Sequence, residues 1–325
     1  MKRFRGLLLL LAAATVLLVA PFAGMEFLTP ARLLHDDLAR TIFLDLRLPR
    51  VLTAFLAGGG LALCGLVFQA LFRNALADPF TLGIASGSSF GAAAVILLGL
   101  GGSLLGVSAV AAGAFAGAAL STLLVCGLAS LRRTTSGDTL LLAGIAVSFL
   151  FSSLLMFLQY LSSLRDSFHI VRWLMGGIEV FRFAPLLAML PWLAAGGAVI
   201  ALHLPHLDQL LAGEDLAHSR GVPVRRTKNL LLAATTVTVG AIVATCGPIG
   251  FVGLMTPHVC KLLWPMNHRR LAPRVFLAGG LFLVLCDTAA RTLVAPAEIP
   301  VGVITALLGG PFFLWLLFRR PTPRQ

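Results

Sequence analysis

Charge is what this chain has least of. Asp, Glu, Lys and Arg together make up 12% of its 325 residues, where a soluble globular protein carries roughly 25%. Hydrophobic residues make up 58% and the mean hydropathy is +0.95, which excludes an ordinary soluble domain and assigns an integral membrane protein. Lysine is confined to Lys2, Lys228 and Lys261, none of them in a GxxxxGK[ST] setting. Without that phosphate-cradling loop the chain does not hydrolyse ATP on its own. The five cysteines (Cys64, Cys126, Cys246, Cys260 and Cys286) are scattered through apolar runs with no CxxC pair. That excludes a zinc ribbon or disulfide framework and makes them small core residues. Histidine is dispersed too; the nearest pair, His203 and His206, is divided by Pro205 and has no third ligand beside it. No metal site is expected. Paired carboxylates, His-rich motifs and a poised serine are missing, so no catalytic residue is expected either. The formal charge of +12 comes without a basic stripe interleaved with aromatics, and no nucleic-acid partner is expected. In a membrane protein such cations report orientation instead.

Apolar runs fill the chain. A bilayer-crossing helix needs ~20 mostly apolar residues, and candidates lie near 7–23, 51–72, 82–100, 104–131, 138–161, 184–203, 230–248, 249–264, 274–293 and 301–318. The weakest division is at 248–249, in CGPIGFVGLMTPH, where Pro248 and three glycines break one run into two spans meeting at a tight turn. The opening MKRFRGLLLLLAAATVLLVAPFAG has the shape of a secretory signal, but the nine further apolar stretches favour a first helix that stays attached. Ten helices put both termini on one side. With the N-terminus inside, 17 of the 25 cations are cytoplasmic: Lys2, Arg3, Arg5, Arg73, Arg132, Arg133, Arg220, Arg225, Arg226, Lys228, Lys261, Arg269, Arg270, Arg274, Arg319, Arg320 and Arg324. That asymmetry selects cytoplasmic termini and places Arg47 and Arg50 on the outer face.

Two hydrophilic stretches interrupt the pattern. The inner one, residues 204–229, contains LDQLLAGEDLAHSRG, a short helical pattern closed by Gly221 and Pro223; it reads as a helix on lipid headgroups or as a docking element for a cytoplasmic partner. The outer one, residues 162–183, mixes charge with aromatics and reads as a re-entrant or interfacial segment. Asp287 lies well inside a span with Arg291 four residues on, the spacing of a paired structural couple. The 33 glycines crowd into the spans, where small residues let helices approach closely in lipid. LRLPR (46–50) raises a separate problem: two arginines at the start of an apolar helix face its positive dipole end, so an anion is expected nearby.

These stretches together resemble the FecCD-type permeases of bacterial ABC importers for iron–siderophores, haem and vitamin B12. The resemblance is carried by 46–91 (LRLPRVLTAFLAGGG onward), GEDLAHSRGV (213–222), GPIGFVGLMTPHVCKLL (247–263), NHRRLAP (267–273) and the run 287–317. It implies an all-α, ten-helix polytopic fold of the type II importer class, with helices 2–5 and 7–10 related by an inverted repeat and residues 1–325 forming one permease domain. It implies a second permease copy, most simply identical, two cytoplasmic ATPase subunits that use ATP and Mg²⁺, and a periplasmic or lipid-anchored substrate-binding protein. No cofactor is expected on this chain, whose setting would be the bacterial inner membrane. By the same match, Arg47, Arg50 and Arg291 would receive the binding protein, the alternative being that they snorkel to lipid phosphate. Gly213, Glu214, Ala217, Gly221, Arg225 and Arg226 would form the ATPase-coupling surface, with small Ala217 and Gly221 admitting the partner's backbone. Helices 5 and 10 would line the path, with Gly309 and Gly310 before Pro311 giving the gate flexible backbone. Iron–siderophore is the first expected cargo, with vitamin B12 and haem after it. A secondary carrier working without nucleotide is the rival.

Overall fold

The computed structural model describes residues 2–24, 26–104, 107–131 and 137–318. Arg132, Arg133, Arg319, Arg320 and Arg324, which entered the orientation argument, lie outside the described residues.

The chain opens with α1 (Lys2–Val19), then two short helices, α2 (Pro30–His35) and α3 (Asp37–Thr41). The Asp36 side chain caps α3 by accepting from the Leu38 N–H at 2.9 Å. A π-helical stretch, Ile42–Arg47, carries α3 without a break into α4 (Leu48–Leu71). Proline explains the widened turn: Pro49 has no N–H for the carbonyl of Asp45, and that carbonyl accepts from the Arg182 backbone at 2.7 Å. The second span therefore starts well before the predicted 51, as a helical path of 35 residues from Asp37 to Leu71.

Next come α5 (Ile84–Leu97), a two-residue hairpin pairing Ser103–Leu104 with Val107–Ser108, α6 (Ala109–Leu131), α7 (Gly137–Leu161) and α8 (Leu164–Leu174). The last six helices are α9 (Ala184–Ala212), α10 (Glu214–Ser219), α11 (Val224–Cys246), α12 (Val252–Leu263), α13 (His268–Thr292) and α14 (Val301–Phe318). Among the described residues seven helices are long and apolar enough to cross a bilayer, and three shorter apolar ones complete the ten expected. The prediction for 249–264 needs correction. At 1.5 Å per residue α12 covers only about 18 Å of a ~30 Å hydrocarbon layer, so it is a half-crossing whose remainder is the irregular segment Gly247–Phe251. Such backbone is tolerated at membrane depth only inside protein. α9 is longer than predicted, running through Pro191 and Pro205 to Ala212; Pro205 does not break it, and the rings of His203 and His206 meet edge-on at 5.5 Å.

The expected repeat is visible helix for helix. α4 through α7 correspond to α11 through α14, each set having a long buried first helix, a short second helix and two partners packed on the second. Both short helices follow a residue in the left-handed region, Gly83 (φ 78°) before α5 and Phe251 (φ 67°) before α12. α4 and α11 run in opposite directions: α11 starts beside α10, where α4 ends, and finishes at Cys246 in a cleft that also holds Arg50 from the first turn of α4. The set is therefore inverted.

Glycine sets the packing. Gly87 and Gly91 of α5 lie against Gly117 and Gly113 of α6, so that a Cβ on any of the four would strike backbone or side chain of the other helix. This is a pair of GxxxG faces meeting antiparallel. α4, the most buried span at 78%, uses Gly58 against the backbone of α13 at Gly279 and Gly65 against the carbonyl of Gly253 in α12. Buried hydroxyls complete the contacts, as where Thr122 of α6 and Thr236 of α11 share a hydrogen bond of 2.9 Å.

Candidate functional site

Charge collects at the two ends of the bundle. At one end lies the anion that LRLPR demanded. Arg50 Nε donates to Asp287 Oδ1 at 3.0 Å and its Nη1 to Glu298 Oε2 at 2.7 Å. Arg291 Nε stands 3.1 Å from the other oxygen of Asp287, the i,i+4 couple expected of α13. Arg47 donates to the carbonyls of Phe22 (2.9 Å) and Glu26 (2.8 Å), and Arg291 to that of Ala23 (3.2 Å). The network thus joins α4, α13, the segment leading into α14 and the segment after α1. Asp287 is 1% exposed, Arg291 5%, Arg50 15% and Glu298 44%. The supposed conflict with the helix dipole also disappears. The helix begins at Asp37, with acidic residues at its start, and both arginines lie in its interior.

The three arginines expected to meet a partner protein therefore have internal acceptors, and Arg50 and Arg291 are largely buried. Beside them is a cleft of about 890 Å³ whose lining includes Arg50, Phe168, His169, Arg172, Trp173, Glu179 and Glu298. Arg172 holds Glu179 through two donors at 3.1 and 2.8 Å, which lifts the guanidinium above its ordinary range. α8, on the wall of this cleft, occupies the predicted interfacial segment. Ser163 caps it by accepting from Asp166 N–H at 3.1 Å, and Leu164 and Phe168 project outward at 94% and 66% exposure.

At the opposite end is α10. The predicted pattern LDQLLAGEDLAHSRG is two elements rather than one: LDQLLA ends α9, Gly213 turns the chain at φ +131°, and EDLAHS forms α10. Gly221, at φ +84°, turns it again. Both angles are strained for any residue with a Cβ. Ala217 is fully buried against its own chain, so its small size serves internal packing and not the approach of a partner as expected. Outward instead are Asp215, Leu216, His218, Ser219 and Arg220, and Arg225 and Arg226 are exposed at the start of α11. A shallow cleft of about 790 Å³ lies alongside, lined by His218, Pro223, Val224, Arg225, Arg226, Asn229 and Leu230. Glu214 turns inward. Its Oε1 accepts from Lys228 Nζ at 2.7 Å and stands 4.0 Å from Arg73 Nη2.

Between the ends, α14 is one helix through Pro311. Gly309 gives room for the ring of Phe251, whereas Gly310 faces open space. α14 starts in a three-way junction that sequence reasoning missed. There Gly302 N–H donates to the Gly176 carbonyl at 3.2 Å, Gly177 N–H to that of Cys246 at 2.8 Å, and a Cβ on Gly302 or Gly176 would strike the carbonyls of Met175 or Pro248. The signal available was only that each glycine follows or precedes a helix boundary. Also missed was Asp78, a buried acid that caps the turn 79–82 by accepting from Phe80 N–H; burial pushes its carboxyl up to about 6. Among the described residues no group of three His, Cys, Asp or Glu could hold a metal ion.

A model of the FecCD transport family matches residues 7–319. The cobalamin import system permease protein BtuC of Halobacterium salinarum is 41% identical over 297 residues, covering 91% of this chain and 79% of that relative. The vitamin B12 import system permease protein BtuC of Salmonella typhimurium is 38% identical over 323 residues, covering 97% and 94%. Among solved structures, an inward-facing conformation of a protein described as a metal-chelate type ABC transporter matches with a TM-score of 0.86 at 32% identity, over 96% of this chain and 97% of that one. PsaBC from Streptococcus pneumoniae matches with a TM-score of 0.56 at 19% identity, over 90% and 95%, and shares the fold alone.

Proposed function

The chain belongs to the FecCD transport family and is a permease subunit of an ABC importer of that kind, and from this premise we propose that its cargo is a corrinoid of the cobalamin class. The family resemblance by itself puts iron(III)–siderophore first. The two permeases reported above at 38–41% identity over nearly the whole chain name cobalamin or vitamin B12, while the structure at 32% identity names only a metal chelate. That is the observation that carries the choice.

In this reading the α10 end faces the cytoplasm and the Arg50 end faces outward, in a bacterial inner membrane, with both termini inside. The count of cations supports it. Two ATPase subunits grip the exposed face of α10 together with Arg225 and Arg226, and they alone use ATP and Mg²⁺; the chain itself holds no cofactor. A second copy packs along α7 and α14, whose flanks carry exposed Phe149, Phe157, Tyr160 and Leu307. A substrate-binding protein seats on the outer end. Arg47, Arg50 and Arg291 stand there with Asp287, Glu298 and, beside Arg47, Glu26, so the seat offers both signs of charge to a partner. Opposite charge across such an interface raises the encounter rate and fixes orientation.

The test is reconstitution. The chain, its cognate P-loop ATPase and the binding protein, placed together in proteoliposomes, are expected to take up labelled cyanocobalamin only when ATP is supplied. An excess of ferric siderophore should not compete. Preferential uptake of the ferric siderophore would overturn the cargo, and uptake by the chain alone on an ion gradient would overturn the ATP-driven scheme. Replacing both Arg225 and Arg226 with Glu is expected to weaken co-purification with the ATPase by about tenfold or more, the scale of a few interfacial charges. Equal recovery would remove these residues from that interface.

A further inference from the structure

α10 is a poor lever by itself. Six residues form less than two turns and do not hold a helix alone. It is hinged at both ends, by Gly213 at φ +131° and Gly221 at φ +84°. Something must make it move with the bundle. Two fastenings do so: Ala217, fully buried, and the Glu214 carboxylate.

The carboxylate is placed where it meets the ends of two different core helices. Lys228 lies in the second turn of α11 with its side chain 5% exposed, and its ammonium is 2.7 Å from Glu214 Oε1. Arg73, just past the end of α4 and itself in the left-handed region at φ 49°, brings a second cation to 4.0 Å of the same oxygen. α4 and α11 are the first helices of the two inverted halves. Their far ends also meet functional parts of the molecule. Arg50, on the first turn of α4, holds Glu298 just before α14, and the carbonyl of Cys246, at the end of α11, accepts from Gly177 in the junction at the head of α14.

We propose that the Glu214–Lys228 ion pair, with Arg73 as its second cation, is the tie through which displacement of α10 is passed to α11 and α4, and so to the outer end of α14. This rests on the reading that an ATPase acts on α10. Glu214 is a positioning residue in this scheme: it faces its own bundle and need not touch the ATPase.

The experiment uses the full reconstituted complex and reads cargo moved per ATP hydrolysed. Glu214→Gln and, separately, Lys228→Met are expected to lower that ratio about tenfold, within the usual span of coupling between linked sites. The exchange Glu214→Lys with Lys228→Glu, made together with Arg73→Gln so that no cation faces the new lysine, restores the attraction with its polarity reversed and is expected to recover the ratio to within about threefold of the parent. A purely packing role would not be rescued by that exchange. A ratio unchanged in Glu214→Gln overturns the tie, and so does loss in both single variants with no recovery in the exchange. If the parent complex fails to bind any P-loop ATPase, the importer reading itself falls and takes the tie with it.

Discussion

Gly65→Ala is expected to prevent this bundle from assembling, although the change adds one methyl group. The Cβ would be placed onto the carbonyl oxygen of Gly253, with that residue's carbon and Cα close behind. Pro257 stands four residues after Gly253 and has no N–H to offer its carbonyl, which lies against α4. Both sides of the contact are helix backbone, so no side chain can turn away, and α4 is held on its other faces by α13, α9 and α11. Overpacking a core costs about 1–3 kcal/mol and occasionally more; with backbone on both sides the cost belongs at or above ~3 kcal/mol. Gly59→Ala provides the contrast, since its Cβ would meet the Phe276 ring at 2.8 Å, a side chain that can give. Gly197→Ala meets nothing within 4 Å in the middle of α9, and there the change should stabilise the helix by about 0.5–1 kcal/mol. The measurement is monodispersity and thermal unfolding of each variant purified in detergent. A Gly65→Ala protein that melts with the parent would show that α4 and α12 are not packed as described.

Much of the fold was legible because membrane helices must satisfy their own backbone, which makes apolar run length a direct reading of element and position. All ten apolar helices among the described residues were found that way. The half-crossing at α12 was not, because hydropathy measures length in residues and cannot see Gly247 and Phe251 turning the chain at depth. The Asp287–Arg291 couple was legible from its i,i+4 spacing. Glu298, which completes that network, was not: it lies 248 residues from Arg50 in a loop, with no period to betray it. At α10, the family motif located the element, but the motif could not say which side faces in. Only burial separates Ala217 and Glu214, which face the bundle, from Leu216, Arg225 and Arg226, which do not.

Asp287→Ala is expected to be the most damaging single change to a charged residue. It would leave Arg291, 5% exposed, and Arg50, 15% exposed, without their shared carboxylate. The guanidiniums would remain charged, and Arg47 nearby adds to the repulsion. Removing one partner of a buried pair costs about 3–5 kcal/mol, whereas replacing the whole pair by apolar groups of similar volume is often neutral or better. Asp287→Leu combined with Arg291→Leu is therefore expected to recover most of the thermal stability that Asp287→Ala loses, leaving Arg50 to Glu298. Glu298→Gln should cost no more than about 1 kcal/mol, because that carboxylate is 44% exposed and water replaces much of the attraction. The difference between the two acids has a mechanical consequence. Asp287 is fixed on α13 in a dry site and holds Arg50 throughout, while Glu298 precedes α14 in a wet one and can release Arg50 at little cost. Stability should thus follow Asp287 and uptake should follow Glu298. If Glu298→Gln lowered the unfolding temperature as far as Asp287→Ala, the four residues would be a single static clamp and α14 would have no release point at the end beside Glu298.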